Sequence, residues 1–119
     1  MNVTIVHKAN VKDEVLDALA KELPSVISGL LEIRGGKMAI LKPEQISLQF
    51  SQASTRDIGA DLRIIVLARS LGPRTSVENK LAASILEQVV ALVTAAGARC
   101  SATVRLYLTE IGAAEYQPA

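Results

Sequence analysis

The spacing of hydrophobic residues along this chain predicts strands and helices in alternation. The first half has a β-branched run at residues 3–7, apolar side chains at helical spacing from residue 12 or 13 to residue 31, and strict alternation at residues 46–51. A short extra strand is also predicted at residues 38–41. Pro24 lies inside the helical stretch, where it kinks the helix or starts a second segment. This half therefore predicts a β-α-β unit.

The second half repeats this order with a more apolar first strand. Residues 62–69 contain an unbroken apolar run, Ile-Ile-Val-Leu-Ala, which predicts a strand covered on both faces. A helix is predicted from Ser76, with Thr75 as N-cap, Glu78 completing a capping box, and Gly97 at the C′ position. Residues 102–109 alternate and predict the last strand, and residues 112–119 predict a loop or arm.

The predicted fold is a single α+β domain over residues 1–119, with the order β-α-β-β-α-β. Right-handed crossovers between parallel strands place both helices on one face of a four-stranded mixed sheet. The other face then needs cover, and the apolar strand at residues 62–69 predicts that another subunit supplies it. The order by itself also fits a ferredoxin-like domain.

Composition strengthens the expectation of an oligomer. Half of the chain is hydrophobic, 21% is charged, and the mean hydropathy is +0.31. A small protein has a high surface-to-volume ratio and needs polar cover, so this excess of apolar residues indicates burial between subunits. No apolar run approaches the ~18 residues that span a membrane, and the first residues do not resemble a signal peptide. We therefore expect a cytoplasmic protein with no membrane partner.

Charge and reactive side chains exclude several functions. The thirteen Lys and Arg are scattered among twelve acids, and aromatic residues make up 3% of the chain, so nucleic acid is not an expected partner. Cys100 is the one cysteine and His7 the one histidine. An intrachain disulfide is thus impossible, and a zinc site or a Ser-His-Asp triad is poorly supported. We expect neither a metal nor a cofactor.

Arg74 occupies an unusual place, directly before the predicted second helix in the turn Gly-Pro-Arg-Thr at residues 72–75. A cation beside the positive end of a helix dipole is unfavourable unless an anion meets it. Arg74 is therefore a candidate ligand-binding residue, and the alternative is a solvated turn arginine.

Three short motifs resemble the tautomerase superfamily. Residues 18–24 (ALAKELP), followed by Gly29, resemble the first helix of its 5-carboxymethyl-2-hydroxymuconate isomerases, and residues 71–78 (LGPRTSVE) resemble their strand-to-helix turn. Residues 42–45 (KPEQ) are similar to the Lys-Pro turn of the macrophage migration inhibitory factor branch. The resemblance extends over residues 3–116. It implies trimers of β-α-β-β-α-β subunits whose sheets surround a central core.

The resemblance also implies a reaction that this chain is not equipped to catalyse. The family's base is an N-terminal proline, which moves a proton on dienol or keto acid substrates, while arginine or lysine holds the substrate carboxylates. Here Asn2 stands at the position of the proline, and the family's cationic pair is absent from residues 45–48 (QISL). The bulk of Asn2 should also discourage removal of Met1, whose amine remains an alternative base. We therefore expect little or no proline-type activity.

Four side chains are candidate contacts for a carboxylate ligand. Arg74 matches the turn arginine of the family, and Lys42 matches its Lys-Pro turn. Arg34, near Lys37 in a glycine-rich loop, either folds over a pocket or stays solvated. Tyr107 either reaches a neighbouring subunit's pocket or packs at the interface.

Three function classes remain open. The chain is a tautomerase-like enzyme with an unconventional base, a non-catalytic trimeric binding or structural protein, or a ferredoxin-like pairing domain. The favoured hypothesis is a tautomerase-like protein that binds a small carboxylate and lacks the standard activity. A dimeric mass in solution would favour the ferredoxin-like alternative.

Overall fold

The structure, a computed structural model, describes residues 1–32, 45–74 and 76–118. Its strands form one sheet in the order β2-β1-β3-β4. β1 is parallel to β2 and antiparallel to β3, and β3 is parallel to β4. The predicted β-α-β-β-α-β order and mixed sheet are thereby confirmed. The strands are β1 Asn2–His7, β2 Ser47–Gln52, β3 Leu62–Arg69 and β4 Ala102–Thr109, and the helices are α1 Asp13–Leu31 and α2 Glu78–Ala95.

Helix α1 continues through Pro24, so the predicted alternative of a second helical segment is wrong. Proline removes the hydrogen bond to the carbonyl four residues earlier, which belongs to Ala20. Ala20 is exposed, so water can reach that side of the helix. The apolar stripe is preserved on both sides of the proline because Leu19, Leu23 and Ile27 are all fully buried. The short extra strand predicted at residues 38–41 lies outside the described residues.

Helix α2 begins differently from the prediction. Its first helical residue is Glu78, two residues later than expected, and the N-cap is Val77, which makes no side-chain capping bond. Ser76 has a φ of 73°, in the left-handed region, so the helix does not extend back to it. Glu78 is thus the first residue of the helix rather than the third, and the predicted capping box is wrong. Thr75 itself lies outside the described residues.

The end of α2 agrees with the prediction. Gly97 has a φ of +70° and follows the C-cap Ala96. The N–H of Gly97 donates to the Thr94 carbonyl at 2.9 Å, and the N–H of Ala98 donates to the Val93 carbonyl at 3.2 Å. These two bonds form a Schellman motif, for which glycine is favoured at the left-handed position.

The two faces of the sheet differ in burial. On the helix side, alternate strand residues such as Val3, Ile5 and Ile64 join the buried stripes of both helices in one hydrophobic core. The opposite face, here called the open face, is covered by neither α1 nor α2, and Leu67 on it is 40% exposed. Within the described residues, β3 is therefore not fully covered on both faces, and its cover by another subunit stays a prediction. The open face consists of Asn2, Thr4, Val6, Ser47, Gln49, Ser51, Arg63, Ile65, Leu67, Arg69, Thr103, Arg105, Tyr107 and Thr109.

Candidate functional site

The fold brings two of the predicted site residues to one edge of the sheet. β1 and β2 begin at this edge, and β3 and β4 end there, because Asn2 pairs with both Ser47 and Leu67, and Leu67 pairs with Tyr107. The carbonyl of Met1 accepts a hydrogen bond from the Ser47 N–H at 3.0 Å, which holds the Met1 residue at the same place. We call this the Asn2 edge. Asn2 is exposed and Tyr107 is 49% exposed, so both side chains are accessible on the open face.

Arg74 lies close to this edge but is directed into the protein. Only 4% of the residue is exposed. Its Nε and Nη2 groups donate to the Leu31 carbonyl at 3.1 and 2.8 Å, and Nη1 donates to the Arg69 carbonyl at 3.0 Å. Three of the five N–H bonds that a guanidinium can donate are therefore made to main-chain carbonyls.

These contacts explain why a cation stands in the turn before α2. Leu31 is the last residue of α1, and its carbonyl belongs to the group that a helix leaves without an internal partner. The Arg74 guanidinium meets the negative end of the α1 dipole, which is a favourable position for a positive charge. Burial lowers the pKa of Arg74 from its ordinary value. Arg74 thus joins the end of α1 to the end of β3, and its predicted contact with a ligand stays a prediction.

Arg69 is a candidate that the sequence reasoning missed. It is the last residue of β3, is exposed, and lies on the open face two positions beyond Leu67, about 7 Å along the strand. Its backbone is fixed by the Arg74 bond to its carbonyl and by its pairing with Thr109. The alternation of β3, extended to its end, places Arg69 on the face of Leu67 and Tyr107. The unbroken apolar run at residues 64–68 hides this alternation in the sequence.

The other predicted cations cannot be placed. Arg34, Lys37 and Lys42 lie outside the described residues. The described residues that precede and follow them are Glu32, directly after α1, and Gln45, directly before Ile46 and β2. Their predicted contacts with a carboxylate stay predictions.

A shallow depression of about 440 Å³ lies at the opposite end of the sheet, beside Asp61 and Cys100. Asp61 is engaged there in structural contacts: its N–H donates to the Ser101 hydroxyl at 2.9 Å, and its carboxylate accepts from the Ser101 N–H at 3.1 Å. Burial, together with the nearby Asp61 charge, raises the pKa of the Cys100 thiol, which makes it a poor nucleophile at neutral pH. Neither Asp61 nor Cys100 is therefore prepared for catalysis in this depression.

The described residues contain neither a cluster of metal ligands nor a helix that could cross a membrane. No group of three or more His, Cys, Asp or Glu in residues 1–32, 45–74 and 76–118 is arranged to hold a metal ion. Within the same residues, neither helix combines the length and the apolar character needed to cross a bilayer.

Comparison with known proteins gives matches at the level of structure only. No family model matches the chain, and no curated protein matches it in sequence. A fused 4-OT wild-type asymmetric trimer superposes with a TM-score of 0.65 and 16% identity, over 95% of this chain and 92% of the other. A malonate semialdehyde decarboxylase gives 0.65 and 8%, over 99% and 92%. The macrophage migration inhibitory factor of Toxoplasma gondii gives 0.62 and 15%, over 92% and 90%.

These similarities show that the chain has the tautomerase-like fold. They extend over more than nine tenths of this chain, so the whole described subunit, and not one β-α-β half, is shared. At identities of 8–16%, these similarities show the fold and assign no role to individual residues. The chemistry of the candidate site must therefore be argued from its own side chains.

Proposed function

We propose that this protein is a tautomerase-like homotrimer of the cytoplasm that binds a small carboxylate and lacks proline-dependent tautomerase activity. The observation that carries the proposal is the grouping of Asn2, Arg69 and Tyr107 on the open face at the Asn2 edge. An exposed guanidinium binds a carboxylate with two parallel hydrogen bonds, and a phenol hydroxyl supplies another donor. Arg74, Lys42 and Arg34 remain proposed additional contacts.

The absence of catalysis is argued from the side chain at the start of β1. An effective general base has a pKa near the working pH and lies within hydrogen-bond reach of the proton that it removes. The amide of Asn2 has no basic nitrogen. The Met1 amine is the alternative base, and an enzyme that uses it on a small unsaturated keto acid is the second candidate function.

The trimer is supported by two independent features. The open face leaves Leu67 and Tyr107 40% and 49% exposed in the single chain, although both occupy strand positions that pack well when covered. Among the solved structures with this fold are fused 4-OT proteins described as asymmetric and symmetric trimers. Assembly through the open face would remove this apolar area from water.

Activity and ligand binding are tested on the same preparation. We expect the intact mass to retain Met1, and phenylenolpyruvate to ketonise at the background rate. We also expect NMR to detect binding of at least one compound from a set of small mono- and dicarboxylates. For these, Arg69→Ala should weaken binding about 10- to 100-fold, since a charged hydrogen bond contributes about 1.5–3 kcal/mol.

Arg99→Ala is the matched control, because Arg99 is an exposed arginine that lines the depression at the far end of the sheet. It should leave carboxylate binding unchanged. A clear ketonisation rate that disappears on acetylation of the Met1 amine would support the enzyme and contradict the inactive protein. Equal affinities for Arg69→Ala and the parent protein would remove Arg69 from the site.

A further inference from the structure

The open face carries positive charge that no strand residue neutralises. The four strands contain three arginines, Arg63, Arg69 and Arg105, and no Asp or Glu. Arg69 lies at the Asn2 edge, whereas Arg63 is six residues away on the same strand, about 20 Å toward the opposite end. The carboxylate site proposed at the Asn2 edge therefore gives no role to Arg63 and Arg105.

Arg63 and Arg105 are diagonal neighbours on this face. Arg63 pairs in register with Thr103, and Arg105 is the second residue after Thr103 on β4. The spacing of neighbouring strands and the rise per residue place the two arginine Cα atoms about 8 Å apart. Two long cationic side chains at this separation can contact one anion together, and they repel each other when no anion is bound.

The hydrogen-bonding capacity of Arg63 is not used up within the subunit. Its Nε and Nη2 atoms are buried and have no hydrogen-bond partner among the described residues. The Asp57 carboxylate lies 3.5 Å from Nη2, which makes an ion pair but exceeds the length of about 2.7–2.9 Å of a charge-assisted hydrogen bond. A buried donor without an acceptor is unfavourable, so a ligand that supplies an acceptor is favoured here.

Arg105 supplies a second, accessible cation. It is exposed, and no ion pair of the described residues includes it. Thr103 is exposed beside Arg63 and has a hydroxyl that can donate a hydrogen bond. The two guanidinium groups and this hydroxyl form a cluster of donors with no carboxylate on the same strands.

We propose that Arg63 and Arg105 form a binding site for a phosphate group, separate from the carboxylate site at the Asn2 edge. A phosphate group carries up to about two negative charges at neutral pH, which matches the two guanidinium charges. Its tetrahedral oxygens accept hydrogen bonds from several directions, whereas a carboxylate has only two oxygens in one plane. Access to Nε and Nη2 requires the loop at residues 57–59 to move, which exchanges the long Asp57 contact for hydrogen bonds to phosphate.

The test is a titration with inorganic phosphate, measured by isothermal titration calorimetry and by NMR of the arginine Nε–H groups. Sodium chloride keeps the ionic strength constant, so general screening is the same at every point. The Nε–H resonances of Arg63 and Arg105 should shift together with one dissociation constant. Arg105→Gln should weaken binding about tenfold or more, because it removes a hydrogen bond between charged groups. Far-UV circular dichroism checks that each variant is folded.

Asp57→Asn should have the opposite effect. It removes the carboxylate that competes for Arg63, and it keeps an oxygen that accepts the hydrogen bond from the Ser54 hydroxyl. We expect phosphate binding to tighten about threefold or more, because a negative charge beside the bound anion is lost. An unspecific attraction of phosphate to Arg105 alone would leave the affinity of Asp57→Asn close to that of the parent protein and would contradict the paired site.

Matched controls remove an arginine elsewhere. Arg69→Gln, on the same face at the Asn2 edge, and Arg99→Gln, beside the depression at the far end of the sheet, should both leave phosphate binding unchanged. Acetate should bind the Arg63 and Arg105 groups much more weakly than phosphate. Glycerol 3-phosphate identifies the source of the phosphate group: tighter binding than inorganic phosphate assigns the site to phosphorylated small molecules, and weaker binding assigns it to the free ion.

Two results would overturn the phosphate site. One is unchanged affinity in Arg105→Gln, and the other is acetate binding as tight as phosphate binding at the same two arginines. The titration uses whichever single species sedimentation shows, so it does not require the proposed assembly. Carboxylate binding through Arg69 is decided separately by Arg69→Ala, and either site can fail without the other.

Discussion

The two faces of the sheet are made from the same strands and differ in burial. On the helix face of β3, Ile64 and Val66 are at most 1% exposed and lie within the core. On the open face of the same strand, Leu67 is 40% exposed and Arg69 is exposed. One strand therefore contributes alternately to the stability of the subunit and to a surface available for ligands or other subunits.

Because the faces differ in burial, each is tested by a different measurement. Substitutions on the helix face should change the free energy of unfolding, whereas substitutions on the open face should change binding and assembly. Substitutions on the two faces test this separation, and the expected change in stability decreases from the buried core to the exposed loop.

The largest effect is expected from Ile64→Ala. Ile64 is 1% exposed in the core, so the substitution removes buried methylene groups and leaves a cavity, at a cost of about 2–5 kcal/mol in the free energy of unfolding. The matched variant Leu67→Ala lies three positions along the same strand on the open face. Urea denaturation at a concentration that keeps the chain monomeric measures both.

We expect Leu67→Ala to lose well under half as much stability as Ile64→Ala, and to raise the concentration needed for assembly. Equal losses in the monomer would show that the open face is part of the core of the single subunit. No change in assembly would show that Leu67 is not covered by another copy.

The strands were predictable from the sequence because their hydrophobic spacing is determined by local geometry. β3 and β4 begin and end at the predicted residues, and the Schellman motif at Gly97 follows from one glycine after an apolar stripe. The start of α2 was not predictable from the same rules. The left-handed Ser76 moves the first helical residue to Glu78, and no propensity scale assigns that conformation to serine.

The contacts of the candidate site residues were predictable only in part, for a physical reason that Arg74 illustrates. Local sequence places its backbone in the turn before α2, but the side chain extends to the carbonyl of Leu31, which is 43 residues away in the chain. A contact of that kind depends on how the helices pack. Tyr107 and Asn2 were easier to place, because strand register alone brings them to one edge.

A smaller effect is expected from Arg74→Met, which keeps much of the side-chain volume and removes three hydrogen bonds. The Leu31 and Arg69 carbonyls then lose their guanidinium partner, and an unsatisfied buried group costs about 1–3 kcal/mol. Arg69→Met, at an exposed position, should change the free energy of unfolding by less than about 0.5 kcal/mol. Thermal and urea denaturation of both variants provide the measurement.

For ligand binding, we expect the larger effect from Arg69→Met and the smaller effect from Arg74→Met. Arg69→Met should weaken carboxylate binding, which NMR titration detects, and a folded Arg74→Met protein should retain most of it if Arg74 acts only on structure. Loss of binding in Arg74→Met with unchanged stability would instead support the predicted ligand contact of Arg74.

The smallest effect concerns the loop that covers part of the open face. Gly59 lies against the Arg63 side chain, so close that an added Cβ would stand 3.0 Å from Cδ of Arg63, and Asp57 pairs with its guanidinium at 3.5 Å. The Ser54 hydroxyl donates to the Asp57 carboxylate at 2.7 Å. This bond, more than the charge of Arg63, holds the pKa of Asp57 below its ordinary value of 3.8.

Because the pKa of Asp57 is lower in the folded chain, the stability linked to it is complete above the unfolded value and is lost as the pH falls through the folded value. Ser54→Ala should therefore raise the pKa of Asp57, measured by NMR titration of its carboxyl carbon, and should destabilise the loop near neutral pH but not in strong acid. Ser84→Ala removes an exposed hydroxyl bonded to the Lys80 carbonyl on α2 and is the control. An unchanged Asp57 pKa in Ser54→Ala would leave the hydrogen bond from the Ser54 backbone N–H and the contacts with Arg63 as the causes.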